Sequence, residues 1–278
     1  MTSSLIYKFE EYKPQSKSIY DKPERILDSS IANVCKFEIA RKQNQKYTSY
    51  TINRRVIDLS PVSENIKNEI EILGSVCHPY IQKFVDTVVI DEKLCLILDY
   101  EEKQYLSLFL DQVTVDEEVL RDYFLQLMEA VQYLHKNNIV HLDIRPDSLY
   151  IDSQGNLKLS KFFNAKRVKS DGKVKGNYGT LNYQAPEIFD SDKFDGKKAD
   201  IWACGTLLLS SFTYRNIFSG NDYESVMKSV KNFKNFKYPP LSDDAIEMLK
   251  LIMDPNPETR ASADEVLQCN WLKKKEVF

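Results

Sequence analysis

The stretch from Ile139 to Ala165, I-V-H-L-D-I-R-P-D-S-L-Y-I-D-S-Q-G-N-L-K-L-S-K-F-F-N-A, constrains the chain most. It runs as a loop dense in polar groups, two short strands joined through a turn at Gly155, and a second polar loop. Just before it, Leu120, Phe124, Leu127, Val131 and Leu134 recur at spacings of four, three, four and three, which predicts a long helix buried along one side. Thr114-x-x-Glu117 reads as the capping box that opens this helix.

The two flanks differ in character. Residues 1–22 form a polar leader with room for one strand. From Arg25 to Ile57 the β-branched and aromatic content predicts two or three antiparallel strands, with a polar break at 41–46. Ser63 opens a helix whose apolar face is Ile66, Ile70 and Leu73. Two strand runs, F-V-D-T-V-V-I and L-C-L-I-L-D-Y, then meet near Asp91-Glu92 and close a β-rich unit near Tyr100. Beyond Ala165 come a basic loop, a buried helix around Trp202, and helices starting near Ser242 and at the capping box Ser262-x-x-Glu265. The given sequence ends seven residues after Trp271, so no long tail or second domain is expected.

Composition excludes several classes. A net charge of −3 gives no general attraction to nucleic acid or to a membrane surface. The N-terminus lacks the apolar core of a signal peptide, and the longest apolar run, Ile201 to Leu209, is too short to span a bilayer. Five scattered cysteines without a C-x-x-C pair point to free thiols in a reducing cytoplasmic or nuclear compartment. Only eight glycines occur in 278 residues, few for a chain that would cradle phosphates with its backbone.

The order of segments resembles the eukaryotic protein kinase superfamily, Ser/Thr type, over about residues 20–273. The resemblance rests on five motifs in order. N-E-I-E-I-L-G-S-V-C-H-P-Y-I looks like the small-lobe helix and its exit, and H-L-D-I-R-P-D-S like the catalytic loop. G-T-L-N-Y-Q-A-P-E-I looks like the end of the activation segment, K-A-D-I-W-A-C-G-T-L like the central large-lobe helix, and D-P-N-P-E-T-R-A-S-A-D-E-V-L like the last helices. The H-L-D-I-R-P-D variant is similar to calmodulin-dependent and titin-like kinases. The resemblance implies an α+β, two-lobed domain at 23–273, with a small antiparallel β-rich lobe carrying one main helix over about 23–100 and a large helical lobe over about 101–273.

Matched residue by residue, the resemblance also implies what chemistry is left. With Val34 as the valine of the glycine-rich loop, the three glycine positions hold Leu27, Ser29 and Ala32, whose side chains would hold the backbone off a phosphate. Asn53 replaces the phosphate lysine, and Arg54 should point to the other face of the strand. Lys36 reads either as a relocated cation or as a surface lysine, and Glu69 either as the helix glutamate that pairs with the missing lysine or as a plain surface carboxylate.

Asp143 keeps the base position, Arg145 stands at the lysine position, and Leu142 replaces the arginine that grips a phosphorylated activation segment. Ser148 replaces the metal-binding asparagine with a shorter, weaker oxygen ligand, and Lys161-Phe162-Phe163 stands where D-F-G should. At about 4 Å and an effective dielectric near 20, a lysine would repel Mg²⁺ by roughly 8 kcal/mol before solvent and side-chain movement reduce it. Thr51 replaces the small alanine above the adenine, and Tyr150 replaces an aliphatic residue below it, where the ring either fills the adenine pocket or packs as core. Leu73, His141, Phe162 and Asp200 match the internal spine, and Glu187 and Arg260 match a buried ion pair.

The expected function is therefore that of a pseudokinase acting as scaffold or allosteric regulator through protein partners, an active kinase or signalling protein among them. No cofactor is expected; ATP and Mg²⁺ enter only under two alternatives. One is a Ser/Thr kinase of unorthodox chemistry using Asp143 with Lys36 or Arg145, the other a nucleotide-binding sensor without catalysis. The basic segment K-R-V-K-S-D-G-K-V-K reads as a solvated loop or as a contact for an acidic or phosphorylated partner, and Ser170, Tyr178 and Thr180 are candidate phosphosites. Lys161 is expected to pair with Glu69 in place of the lost lysine.

Overall fold

The computed structural model describes residues 24–27, 35–42, 45–53, 62–90, 93–99, 104–112, 115–220 and 222–273. The polar leader, Ser29, Ala32, Val34 and Arg54 lie outside them. The chain divides into two compact units, Met1–Cys77 with Gln82–Glu102, and His78–Ile81 with Lys103–Phe278. His78–Ile81, sequence-assigned to the small lobe, belongs to the second unit because the Leu159 N–H donates to the Tyr80 carbonyl and Ile81 bridges to Leu159.

The first unit is a mixed element of sheet and helix. Strands β1 (Glu24–Leu27), β2 (Cys35–Lys42), β3 (Gln45–Asn53), β4 (Phe84–Ile90) and β5 (Lys93–Asp99) form one antiparallel sheet in the order β1-β2-β3-β5-β4. Tyr47, Cys95 and Ile97 bury against one another, as alternation on a half-covered sheet requires. Helix α1 (Val62–Leu73) buries Ile66, Glu69, Ile72 and Leu73, while Ile70, expected on the apolar face, is only half-buried, so a carboxylate takes part of that stripe. The surface reading of Glu69 does not hold.

The second unit is mostly helical. Strands β6 (Gln104–Tyr105), β8 (Leu149–Ile151) and β9 (Leu157–Leu159) make a small sheet, β7 (Ile139–Val140) pairs with β10 (Lys166–Arg167), and β11 (Lys173–Lys175) pairs with β12 (Lys193–Asp195). Around them lie α2 (Leu106–Gln112), α3 (Glu117–Lys136), α4 (Pro186–Asp190), α5 (Gly196–Thr213), α6 (Tyr223–Lys231), α7 (Asp243–Ile252), α8 (Ala263–Val266) and α9 (Asn270–Lys273). The periodic residues of α3 are all buried, and α5 is buried on nearly every side. Gly205 lets α5 meet α7, since a Cβ there would stand 2.5 Å from the Met253 side chain.

Two local readings change. Thr114 lies outside the described residues; α3 starts after Asp116, and the Glu117 carboxylate accepts hydrogen bonds from Ser242 N, Ser242 Oγ and Trp271 Nε1, tying three helices together. The box at Ser262 and Glu265 does form, with the Glu265 N–H donating to Ser262 Oγ and the Ser262 N–H to the Glu265 carboxylate. Helix α6 is absent from the sequence reading because its apolar face is only Val226 and Val230. Its signal was Asp222, whose side chain accepts the Ser225 N–H.

Candidate functional site

One buried carboxylate shapes the loop after β7. Asp200, in the second turn of α5, accepts the backbone N–H of His141 at 2.8 Å and that of Leu142 at 2.7 Å, one on each oxygen. His135 Nε2 meets the same group at 3.0 Å. Leu142 sits at φ 62°, a left-handed conformation that costs a side-chain-bearing residue roughly 1–2 kcal/mol, and the charge-assisted bonds from Asp200 offset that cost.

His141 turns inward. Its Nδ1 accepts the Asp143 N–H at 3.2 Å and its Nε2 faces the Ser160 carbonyl at 2.9 Å, the arrangement of a neutral ring protonated on Nε2. Burial holds its pKa below the usual histidine range, outweighing the carboxylates of Asp200 and Asp143. The ring meets Phe162 edge-on with centroids 4.9 Å apart. His141, Phe162 and Asp200 thus form one packed cluster in this unit, while Leu73 is buried in the other.

Asp143 faces the loop opening with its oxygens already engaged. Oδ1 accepts the Thr180 N–H at 3.0 Å and the Thr180 hydroxyl at 2.8 Å; Oδ2 accepts Asn164 Nδ2 at 3.3 Å. Arg145 Nε lies 3.6 Å from Oδ1, and its NH1 donates to Asp147 at 2.6 Å. The guanidinium is thus neutralised by the loop's own carboxylates. A cleft of about 480 Å³ adjoins this pair, with Arg145, Asp147, Thr180 and Tyr183 on its wall. Burial, with Asp147 nearby, pushes the Tyr183 hydroxyl up to about 12.

Ser148 and Lys161 occupy the two positions expected to hold metal. Ser148 is wholly buried: its hydroxyl accepts the Arg145 N–H at 3.0 Å and donates to the Arg145 carbonyl at 2.8 Å, closing a 3₁₀ turn. The shorter, weaker ligand expected from the sequence is thus an enclosed hydroxyl bonded to its own turn. Lys161, left-handed at φ 61°, places Nζ 5.0 Å from the centre of the Tyr105 ring. It does not swing into solvent. Burial lowers its pKa and Arg145 adds to the effect, against the carboxylates of Asp147 and Asp143. A magnesium ion would meet a buried hydroxyl already engaged in two hydrogen bonds and an ammonium, and these residues do not fit it. Among the described residues no cluster of histidine, cysteine and carboxylate side chains could hold a metal ion.

Tyr150 is fully buried in the small sheet, opposite Tyr105 on β6 and Lys158 on β9. In the first unit, Thr51 lies opposite Lys36 and Cys95, and Asn53 opposite Lys93, so Thr51 and Asn53 both sit on the central strand of their sheet. Glu187 and Arg260 form a two-pronged ion pair, NH1 to Oε1 at 2.7 Å and NH2 to Oε2 at 2.9 Å, with the guanidinium over the Trp202 ring. The sequence reading missed Asn164 and Tyr105, and took Thr180 only as a phosphosite. Its place just before Leu181–Tyr183, ahead of Ala185-Pro186-Glu187, was the signal available.

Comparison with known proteins agrees with this geometry. The protein kinase domain family matches residues 30–272. CBL-interacting protein kinase 32 of Oryza sativa subsp. japonica is 33% identical over 216 residues, covering 76% of this chain and 49% of the rice protein. CBL-interacting serine/threonine-protein kinase 3 of Arabidopsis thaliana is 32% identical over 218 residues, 77% of this chain and 49% of its own length. The carbon catabolite-derepressing protein kinase of Candida glabrata is 30% identical over 233 residues, 82% and 37% respectively. The chain spans about half the length, or less, of these curated relatives.

Proposed function

This chain belongs to the protein kinase family, and from that premise we propose that it is a catalytically impaired member, a pseudokinase that acts as a scaffold or allosteric regulator of a protein partner. The observation that carries this reading is the pair at the metal positions. The Ser148 hydroxyl is closed into its own turn and Lys161 holds a cation over Tyr105, so phosphoryl transfer lacks the charge neutralisation on which it depends. The losses at Leu27, Ser29, Ala32 and Asn53 fall on the same ligand. The buried cluster of His141, Phe162 and Asp200 meanwhile holds the loop in shape. Cys204 and Cys269 are free thiols, in keeping with work in a reducing compartment, and no described helix is long and apolar enough to cross a membrane.

Asp143 supports a second reading. With the base position retained and Ser/Thr kinases among the relatives, an unorthodox transfer of phosphate from ATP to protein is the alternative, with nucleotide sensing without transfer as its weaker form. A radiolabelled transfer assay comparing the wild type with Asp143→Asn separates them. Equal background counts support the pseudokinase, whereas Asp143-dependent incorporation overturns it. Thermal melting with ATP, with and without Mg²⁺, tests binding alone, and a nucleotide-dependent rise supports the sensor.

A further inference from the structure

The ribbon of β11 and β12 carries a charge arrangement that its own fold does not balance. Its register pairs Lys173 with Asp195, Val174 with Phe194, and Lys175 with Lys193. Val174 and Phe194 are buried, so strand alternation places Lys173, Lys175 and Lys193 together on the outer face, where all three are exposed. Lys175 and Lys193 stand directly opposite one another, and like charges in that relation destabilise a strand pair. None of the three lysines makes an ion pair among the described residues. Asp195, the one carboxylate on that face, is engaged at the start of α5, where Oδ1 accepts the N–H groups of Lys197 and Lys198. Lys169, also exposed, adds positive charge along the chain, with the exposed Asp171 and Asp192 at the ends of the ribbon.

From this we infer that the β11–β12 ribbon is a docking surface for an acidic, extended segment of a protein partner. Carboxylates laid along the ribbon would interleave with the lysines and relieve the Lys175–Lys193 repulsion. Among the described residues the ribbon has only two strands, so each has an edge without a strand neighbour there, and an extended segment can add backbone hydrogen bonds. A chain of net charge −3 that gathers cations on one short ribbon favours a locally acidic protein face over a nucleic acid. The inference rests on the reading of the chain as a protein-binding kinase domain and names the chemistry of the partner.

The test uses the full chain and a fluorescein-labelled polyglutamate peptide of roughly ten residues, titrated by anisotropy at about 0.15 M salt. The double variant K175E/K193E is expected to bind at least about tenfold more weakly, while K83E/K250E, which removes the same charge from exposed lysines elsewhere, binds as the wild type does. The single variant K175E separates docking from stability: it places opposite charges across the ladder, so the unliganded protein should melt roughly 1–3 °C higher while the peptide binds more weakly. No peptide binding, equal losses in both double variants, or tighter binding of a short DNA duplex to the same lysines would overturn the inference. None of these readouts depends on phosphoryl transfer, so a positive kinase assay would leave the titration to be judged by itself.

Discussion

Thr180 gives both its backbone N–H and its hydroxyl to one oxygen of Asp143, at 3.0 and 2.8 Å. The base-position carboxylate is thereby fixed against the segment that leads to α4. Thr180→Val removes the hydroxyl donor while keeping size and backbone. The expected loss is on the order of 1.5 kcal/mol in urea unfolding, the lower end for a bond to a charged group, because Asp143 remains partly solvated. The same variant leaves no hydroxyl for modification at this position.

Lys161→Asp restores the carboxylate that a metal-using relative of this fold would carry, and it should harm the protein. The new charge would join Asp143 and Asp147, whose fields already act on Lys161, and the contact with Tyr105 would be lost. Melting temperature should fall, and millimolar Mg²⁺ should recover part of the loss in the variant while leaving the wild type unchanged. Lys161→Met, which keeps length without charge, should cost only about 0.5–1 kcal/mol from the ring contact. A wild type stabilised by Mg²⁺ would contradict the poor fit of Ser148 and Lys161 to the ion.

Acid should weaken the large unit through His141. The folded ring is held below its unfolded value of 6.5 by burial, so between those two values the unfolded chain binds the extra proton. Stability from this group is complete above about pH 6.5 and is lost as pH falls through the folded value. Urea midpoints measured from pH 7.5 downward should decline more steeply for the wild type than for His141→Phe, which has no proton to bind. A parallel decline in both would assign the effect elsewhere.

Glu187→Ala should be among the most damaging single changes distant from the loop. It would leave the Arg260 guanidinium, fully enclosed and also bonded to the carbonyls of Lys198 and Asp254, without its counter-charge. Breaking a buried pair from one side costs about 3–5 kcal/mol. Arg260→Lys should recover little, since an ammonium cannot supply the forked pair together with the stacking on Trp202. Chemical denaturation of both variants checks the order.

Much of the site was legible from residue types and spacing. The substitutions Ser148, Lys161 and Asn53 and the retained Asp143 are visible in the string of letters once the frame of the loop is recognised. Which way those groups turn was not. A serine at 148 reads as a poor ligand, but only the turn geometry reveals that its hydroxyl is doubly engaged with Arg145. A lysine at 161 reads as a cation that repels metal, but only the packed chain reveals the half-buried seat that Tyr105, 56 positions earlier, gives it. Thr114-x-x-Glu117 illustrates the same limit, because the carboxylate that reads as a cap for its own helix meets donors at Ser242 and Trp271.

By itself, then, the sequence determined what is settled within a few residues: the buried stripe of α3, the cap at Ser262, the turn at Gly155, and the loss of the residue types that phosphate and metal require. Such features depend on side-chain spacing and backbone preference, which are local. The tertiary structure decided which polar groups became partners: Glu117 with Trp271, Asp143 with Thr180, Asp200 with Leu142, and three lysines on one face of a two-stranded ribbon. A buried hydrogen-bonding group accepts whichever complementary partner the packed chain brings to it, and that choice is made across many tens of residues.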